Sequence, residues 1–274
     1  MPHGLPIAIA LIFSLASPNV FGKPLPREIF QDAIIHGEPA RDAQITRSTV
    51  LVMGEEGELL NCTGTLITPS LVLTAAHCAV KDNSEIPLKP SQLSVAFTSY
   101  YDGRSDLSKI PRGTISDFKV HPEYDDQEAN ESGNPHDLAL LKLNAPAPWP
   151  YQPAKILPKN ARLDIGAPVL VAGFGDTDPD ASSEDFLLRT FAFFLKAFKT
   201  DSTLVVLGSR GEGGVGKGDS GGPAFLDNGT GFFLFGVCSS SRHSGSPAFY
   251  ENIRRYADWI NKSARELGEE FHLP

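Results

Sequence analysis

The chain has 274 residues, of which 41% are hydrophobic and 21% are charged, and it contains 25 Gly and 22 Pro. This composition excludes a fibrous or intrinsically disordered chain and is typical of a globular protein with many turns. The formal net charge of −9 argues against nucleic acid as a partner, because a phosphate-binding surface needs clustered Lys and Arg.

The N-terminal residues resemble a targeting segment. Residues 5–16 form an apolar stretch that is too short to span a bilayer and is followed by small, turn-prone residues. We expect residues 1–22 to be a signal peptide cleaved near Gly22, with an interfacial or buried helix as the alternative. No later stretch is long and apolar enough to span a membrane, so the sequence predicts a secreted mature chain, extracellular or periplasmic, with no membrane partner.

From about residue 48 onward, short runs rich in Val, Leu, Phe and Thr alternate with Gly, Pro, Asn and Asp. This pattern is typical of the strands of an all-β sandwich or barrel. The clearest runs are Thr49–Met53, Gly64–Ile67, Leu71–Thr74, Leu93–Phe97, Leu138–Leu143, Pro168–Ala172, Thr190–Leu195, Leu204–Leu207 and Phe232–Val237.

Two further features organise the chain. Pro146–Pro153 (PAPWPYQP) is the best candidate for a linker, and it divides the chain into two comparable β-rich halves. Near the C-terminus, residues 253–267 have apolar side chains at spacings of three and four, which predicts a helix.

A serine lies between glycines in Gly218–Pro223 (GDSGGP). Such a turn exposes the Ser220 hydroxyl, and its backbone N–H groups can converge on a developing oxyanion. The same pattern matches the nucleophile elbow of α/β-hydrolases, but an elbow leads into a helix and is followed by the catalytic acid and histidine. Here a β-like run follows, and the histidines downstream are His243 and His272.

A serine nucleophile needs a base and a group that orients the base. His77 ends the apolar run Leu73–Cys78, and a disulfide between Cys62 and Cys78 would hold its loop to the adjacent strand. Asp137 precedes an alternating strand, where its carboxylate can be buried. The third cysteine, Cys238, is expected to be a buried free thiol, with intermolecular pairing as the alternative.

Leu73–Cys78, His136–Leu143 and Gly218–Pro223 resemble the three signature segments of the chymotrypsin/trypsin family of serine proteases, in that family's order of His, Asp and Ser. The similarity extends over nearly all of residues 34–262. It implies an all-β fold of two six-stranded antiparallel barrels with a C-terminal helix and an active site in the cleft between them. Residues 34–274 would form the peptidase domain, with barrels in residues 34–150 and 151–274.

The resemblance also implies roles for individual residues. Ser220 would be the nucleophile, His77 the general base and Asp137 the buried carboxylate that orients the imidazole. The backbone N–H groups of Gly218 and Ser220 would form the oxyanion hole.

Ile34–Ala40 looks like the N-terminus that members of this family expose on activation. The resemblance implies that the new α-amino group of Ile34 pairs with Asp219, and that residues 23–33 are a propeptide. The residue before Ile34 is Ala33 rather than Arg or Lys, so an activating protease of non-tryptic specificity, or extended signal cleavage, is expected.

The resemblance also assigns a specificity pocket. Its members would be Gly214, Val215, Ser239, Ser240, Ser241 and Ala248. Gly214 occupies the position of the acid found in trypsin-like pockets, so we expect cleavage after apolar or small residues. Ser239 would also support Asp137.

The sequence therefore predicts a monomeric, secreted serine endopeptidase that acts on protein or peptide substrates. No CxxC or HExxH spacing is present, so no metal or other cofactor is expected, and His36, His121 and His136 are interpreted as structural or surface residues. The alternative is a catalytically silent binding or regulatory protein on the same scaffold. An esterase or lipase is disfavoured because helices do not alternate with strands.

Overall fold

A computed structural model describes residues 37–54, 61–81, 84, 86–102, 106–126, 134–175, 186–199, 204–209, 213–242 and 246–274. The predicted signal peptide, the predicted propeptide and Ile34 lie outside these described residues.

Most of the regular structure is β-strand. The strands are β1 (Glu38–Pro39), β2 (Thr49–Gly54), β3 (Asn61–Leu66), β4 (Leu71–Thr74), β5 (Leu93–Ala96), β6 (Tyr100–Tyr101), β7 (Arg112–Val120), β8 (Ala139–Leu143), β9 (Pro168–Gly173), β10 (Phe186–Leu187), β11 (Arg189–Phe198), β12 (Leu204–Gly208), β13 (Pro223–Asp227), β14 (Phe232–Ser241) and β15 (Ala248–Asn252). The α-helices within the described ranges are α1 (Ala43–Ser48) and α2 (Ala257–Glu266). Short 3-10 turns lie at Ala76–Cys78, Pro90–Gln92, Leu107–Lys109 and Ile253–Tyr256.

The strands form two closed antiparallel barrels. In the first barrel the order is β2-β3-β4-β8-β7-β5. In the second barrel the order is β9-β13-β14-β15-β12-β11, and pairing of β11 with β9 closes it. The predicted fold of two six-stranded barrels with a C-terminal helix is confirmed. The linker Pro146–Pro153 lies between β8, the last strand of the first barrel, and β9, the first strand of the second.

The side chains of β2 belong to two different hydrophobic clusters. Val50 and Val52 point into the first barrel, whereas Leu51 and Met53 join a cluster that also contains residues of the second barrel. Successive side chains of a strand point to opposite faces, so a run that is apolar at every position is buried on both. The shared cluster packs the two barrels together and receives Ile260 of α2.

The two helices differ in how they arise. The predicted C-terminal helix is present as the 3-10 turn Ile253–Tyr256 followed by α2. The short α1 was not predicted. It begins where the carboxylate of Asp42 accepts hydrogen bonds from the N–H groups of Gln44 (2.8 Å) and Ile45 (3.2 Å), a local cap that stabilises even a single turn or two.

The topology places two of the predicted site residues at one edge of the first barrel. Because β4 and β8 are antiparallel neighbours, with Thr74 opposite Ala139, the residues just after β4 and just before β8 lie side by side. His77 and Asp137 occupy these two positions. Ser220 lies just before β13, in the second barrel.

Candidate active site

His77 and Asp137 are in direct contact. The ring Nδ1 of His77 lies 2.8 Å from Oδ2 of Asp137, and the backbone N–H of His77 donates to Oδ1 at 3.0 Å. The Asp137 side chain is 1% exposed, whereas that of His77 is 30% exposed. An ionised carboxylate can only accept, so we assign the hydrogen to Nδ1, which leaves the lone pair on Nε2. This is the tautomer that a general base requires.

Asp137 is also held from the second barrel. The hydroxyl Oγ of Ser239, on β14, lies 2.7 Å from Asp137 Oδ2, and the backbone N–H of Asp137 donates to Glu251 Oε1 at 3.2 Å. Glu251 lies on β15 and is fully buried, and its Oε2 accepts a hydrogen bond from the hydroxyl of Tyr256 at 2.6 Å. Ser239 and Glu251 therefore fix the position of this acid from two neighbouring strands of the second barrel.

Glu251 is a site residue that the sequence interpretation missed. The signal that could have found it is a single charged residue within Phe249–Ile253 (FYENI), a segment that is otherwise uncharged. A charged side chain on a strand of a closed core is almost never fully buried unless it has polar partners. Its partners could not be identified without the fold, because Asp137 lies 114 residues away in sequence.

The expected disulfide between Cys62 and Cys78 is present, with the two Cα atoms 6.3 Å apart. It joins β3 to the 3-10 turn that carries His77. In the chain-entropy description, closing a loop of this size stabilises the fold by about 3 kcal/mol. Cys238 is a buried free cysteine, as expected, and burial raises the pKa of its thiol, with a further contribution from the charge of Asp219.

The segment around Ser220, which precedes β13 of the second barrel, is hydrogen-bonded to β3 of the first barrel. The carbonyl oxygen of Gly218 accepts from the Thr63 hydroxyl at 2.8 Å, and that of Ser220 accepts from the Thr63 backbone N–H, also at 2.8 Å. Gly218 has a φ of 96° and Gly221 a φ of 79°, a backbone region that side chains with a Cβ rarely adopt. Thr63 therefore binds two carbonyl groups of this turn, and the backbone of the turn favours glycine at positions 218 and 221.

The same segment packs on the turn that leads to His77. A Cβ atom placed on Gly221 would lie 2.0 Å from Oγ1 of Thr74 and 2.9 Å from the backbone N of Ala75, so no larger residue fits. Within the described ranges, the Ser220 hydroxyl makes no hydrogen bond, and the N–H groups of Gly218 and Ser220 donate to no protein group. The segment of Ser220 therefore packs against the turn that leads to His77.

Asp219 turns into the second barrel and is 1% exposed. Its Oδ1 accepts from the N–H of Gly175 at 2.8 Å and its Oδ2 from the N–H of Gly216 at 2.7 Å. A Cβ on Gly173 would lie 2.1 Å from Oδ1, so the carboxylate occupies the space that this glycine leaves. Its expected partner Ile34 lies outside the described residues, so the Ile34–Asp219 pair stays a prediction.

The segments assigned to the specificity pocket come together. The Ser241 hydroxyl donates to the carbonyl oxygen of Val215 at 3.2 Å, and Ser241 lies opposite Ala248 across β14 and β15. Val215 and Ala248 are buried in the core of the second barrel, and Gly214 is buried beside them in sequence. Ser240 is half-buried, and its Oγ has no hydrogen-bond partner within the described ranges. Contact of these residues with a substrate stays a prediction.

Aromatic rings pack behind Asp137. The rings of His121 and His136 are stacked with centroids 5.0 Å apart, and each also contacts the ring of Tyr256. Burial and, to a smaller extent, the neighbouring His136 lower the pKa of His121 to about 4, while Glu123 acts in the opposite direction. His121 is therefore neutral over the physiological range, which suits a ring packed in an aromatic cluster.

Comparison with known proteins gives the family. The sequence model described as Trypsin matches residues 34–260, which is most of the chain. The chain belongs to the trypsin family of serine proteases.

None of the helices within the described residues has the length and apolar character needed to cross a membrane.

Three relatives illustrate the similarity to other members of the trypsin family. The chain is 31% identical to phenoloxidase-activating factor 3 of Holotrichia diomphalia, over 74% of this chain and 64% of the relative. It is 28% identical to phenoloxidase-activating enzyme 1 of Spodoptera litura, over 74% of this chain and 58% of the relative. It is 26% identical to serine protease SP24D of Anopheles gambiae, over 89% of this chain and 86% of the relative. The matched region thus spans less than two thirds of the first two relatives.

Proposed function

We propose that this chain is a secreted serine endopeptidase in which Ser220 is the nucleophile, His77 the general base and Asp137 the orienting carboxylate. One observation carries the proposal: the buried carboxylate of Asp137 contacts the ring of His77 at 2.8 Å, on a turn against which the Ser220 segment packs. Membership of the trypsin family supports it.

The chemistry is acyl transfer. Ser220 Oγ attacks the carbonyl carbon of the scissile peptide bond as His77 Nε2 takes the hydroxyl proton, and the carbonyl electrons move to oxygen. The N–H groups of Gly218 and Ser220 bind this oxyanion, and Asp137 stabilises the imidazolium. Breaking the C–N bond, with proton transfer from His77 to the leaving amine, gives the acyl-enzyme. Water repeats the sequence and releases a carboxylate product and the serine.

The specificity proposal rests on uncharged pocket residues. Gly214, Val215 and Ala248 place no charge at the base or walls of the assigned pocket. An apolar slot discriminates by only about 1–3 kcal/mol per methylene, so we expect a preference for apolar or small side chains rather than for a single residue. A peptide-library cleavage profile checks this, and a profile dominated by Arg or Lys before the scissile bond would contradict the pocket assignment.

Replacement of the nucleophile tests the proposal directly. Ser220→Ala should lower turnover on the order of a million-fold while the far-ultraviolet circular dichroism and the unfolding midpoint stay unchanged. Ser116→Ala, which removes an exposed hydroxyl on β7, is the matched control and should stay fully active. A Ser220→Ala variant with a tenth of wild-type activity excludes Ser220 as the nucleophile. Failure of an active-site serine probe to label the processed wild type would favour a catalytically silent regulatory protein instead.

We further propose how the chain matures. Residues 1–22 act as the signal peptide, residues 23–33 as a propeptide, and residues 34–274 as a monomeric peptidase domain with barrels in residues 34–150 and 151–274. Ala33 before the new N-terminus calls for an activating protease of non-tryptic specificity. Two relatives are named as phenoloxidase-activating proteins, which supports a place for this chain in a protease cascade.

A further inference from the structure

Three side chains outside the proposed triad converge beside Asp137. His121 lies directly after β7, Glu123 lies two residues further on, and His136 precedes Asp137. One ligand atom of each lies within 4.8 Å of the others. We call these residues the histidine–carboxylate cluster. The other such group within the described ranges, Cys62, His77 and Cys78, is closed by the disulfide and offers no thiolate.

The hydrogen bonds around His136 set its tautomer. Tyr256 donates its single hydroxyl hydrogen to Glu251 Oε2, so its oxygen must accept from its other neighbours. These are the backbone N–H of His136 at 3.1 Å and the ring Nδ1 of His136 at 3.4 Å. We therefore assign the ring hydrogen to Nδ1. The lone pair is then on Nε2, which faces Oε2 of Glu123 at 3.6 Å.

The tautomer of the second histidine follows from its own hydrogen bond. The backbone N–H of Glu123 points at Nδ1 of His121 at 3.3 Å, so Nδ1 carries the lone pair. An ion bound at Nδ1 would replace this long contact. The two rings are nearly parallel, with an interplanar angle of 17°. The Nε2 lone pair of His136 thus faces the Glu123 carboxylate, and the Nδ1 lone pair of His121 faces the backbone N–H of the same residue.

Two imidazole nitrogens and one carboxylate oxygen form a ligand set that suits zinc and related divalent ions. Tetrahedral zinc has ligand bonds of about 2.0–2.2 Å, which places ligand atoms about 3.3 Å apart. The three ligand atoms, which lie within 4.8 Å of one another, must therefore draw together on binding, and the Glu123 side chain has room to move because it is 70% exposed. His136 already has the outer-shell partner that holds a metal-ligating histidine, because Nδ1 faces Tyr256.

We propose that the histidine–carboxylate cluster binds one divalent transition-metal ion of the zinc class, with water in the fourth position, and that the bound ion lowers turnover. The second part rests on the proposed peptidase function. His136 is bonded in sequence to Asp137, and Tyr256 and Glu251 link its ring to the backbone N–H of Asp137. A metal that moves His136 therefore moves the carboxylate that orients His77.

Direct binding tests the site without reference to activity. The Ser220→Ala chain, which cannot digest itself, is freed of metal by a chelator and titrated with Zn²⁺ by calorimetry and with Co²⁺ by visible absorption. We expect one ion per chain. Glu123→Gln should weaken binding at least about tenfold, and His136→Asn by more, since groups that bind the metal directly contribute at least as much as the groups that orient them. Asn is chosen because His136 has a φ of 64°, a region that Asn tolerates.

An exposed carboxylate on β7, the strand that precedes His121, gives the matched control. Asp117→Asn removes an exposed charge of β7 and keeps the oxygen that accepts from the N–H of Phe118. It should bind metal like the parent chain. No binding at millimolar Zn²⁺ or Co²⁺, or equal weakening by Asp117→Asn and Glu123→Gln, would overturn the site. So would loss of binding in His77→Ala with retention in His136→Asn, which would place the ion at the triad.

Inhibition is measured separately on the processed chain with Ser220 intact. Zn²⁺ should lower kcat reversibly, and Glu123→Gln should lose this sensitivity when each variant is compared with its own metal-free activity. If the wild type binds the ion with unchanged kcat, the coupling to Asp137 is wrong. If no peptidase activity exists at all, the proposed function fails while the binding result stands.

Discussion

The buried carboxylate of Glu251 accepts a hydrogen bond from the backbone N–H of Asp137, with a distance of 3.2 Å between Oε1 and N. Ser239 contacts the side chain of the same aspartate at 2.7 Å. Asp137 is therefore held at its backbone by one strand of the second barrel and at its carboxylate by the neighbouring strand. An acid that must orient an imidazole gains from such support, because small displacements of catalytic groups reduce rates strongly.

We expect Glu251→Ala to lower both stability and turnover. Removing the acceptor takes away the hydrogen bonds that the Asp137 N–H and the Tyr256 hydroxyl donate to Glu251, at about 1–3 kcal/mol each. Chemical denaturation measures the first effect, and steady-state kinetics should show a lower kcat with little change in KM. Glu251→Gln keeps an amide oxygen for Asp137 and should have a smaller effect on kcat. Wild-type kcat in Glu251→Ala would contradict a positioning role.

Much of the fold can be predicted from the sequence, because the apolar pattern of a strand indicates which of its faces are buried. Thr49–Met53 is apolar at nearly every position, and β2 is buried on both faces. By contrast β7 was not predicted: only one of its nine residues is buried, and its pairing with β5 and β8 rather than an apolar pattern defines it. The two-residue β1 likewise exists through its pairing with β11.

The candidate site divides in a similar way. The segments that carry His77, Asp137 and Ser220 were found because local sequence defines them. Glu251 and the histidine–carboxylate cluster were not found, because their members come from distant parts of the chain and no local spacing marks them. The CxxC and HExxH spacings indicate only metal ligands that lie close together on one element. They pass over ligands such as His121 and His136, which the barrel brings together.

Cys238 should be unreactive until the chain unfolds. Its side chain is buried, and burial raises the pKa of the thiol, so little thiolate forms at neutral or mildly alkaline pH. Without reductant, a thiol reagent at pH 8 should detect none in the native protein and one per chain in denaturant. Cys238→Ala should give none in either case. Rapid reaction of the native protein would contradict the buried position, and no reaction after denaturation would indicate intermolecular pairing.

Glu269 should make stability depend on acid pH. In the C-terminal tail it accepts hydrogen bonds from Ser70 and Lys142 of the first barrel. Burial raises the pKa of Glu269, but these hydrogen bonds and the charge of Lys142 outweigh burial and lower it from 4.5. Because the folded pKa is depressed, the stabilisation is complete above the unfolded value and is lost as pH falls through the folded value.

Accordingly, Glu269→Gln should destabilise the protein by about 1–3 kcal/mol near neutral pH, as expected for hydrogen bonds to charged groups. The difference from wild type should shrink as pH falls below the ordinary carboxyl pKa. Denaturant unfolding over a pH series measures it, with Glu270→Gln, the exposed neighbour, as the control. A difference that is constant with pH would show that the charge of Glu269 plays no part.

Cleavage before Ile34 would create an N-terminus that lies within reach of Asp219. The segment after it is fixed on the second barrel, where Pro39 lies opposite Arg189 and Arg189 lies opposite Gly173. Gly173 borders the carboxylate of Asp219. Two strand spacings, about 10 Å, separate Pro39 from Gly173. Five extended residues span up to about 17 Å, so the α-amino group of Ile34 can reach Asp219.

The chain beginning at Ile34 should therefore be active, and the chain beginning at Lys23 nearly inactive. An ammonium group beside Asp219 would give its buried carboxylate a cationic partner and hold the adjacent N–H groups of Gly218 and Ser220 for the oxyanion. Loss of one such donor alone weakens transition-state binding by about 2.7–4 kcal/mol, so we expect a difference of at least about a hundredfold in kcat. N-terminal sequencing confirms each start, and a chain with one residue added before Ile34 is the matched control. That control should resemble the Lys23 form, because its ammonium group is displaced by a full residue. Equal activity in all three chains would exclude the Ile34–Asp219 pair while leaving the roles of His77, Asp137 and Ser220 intact.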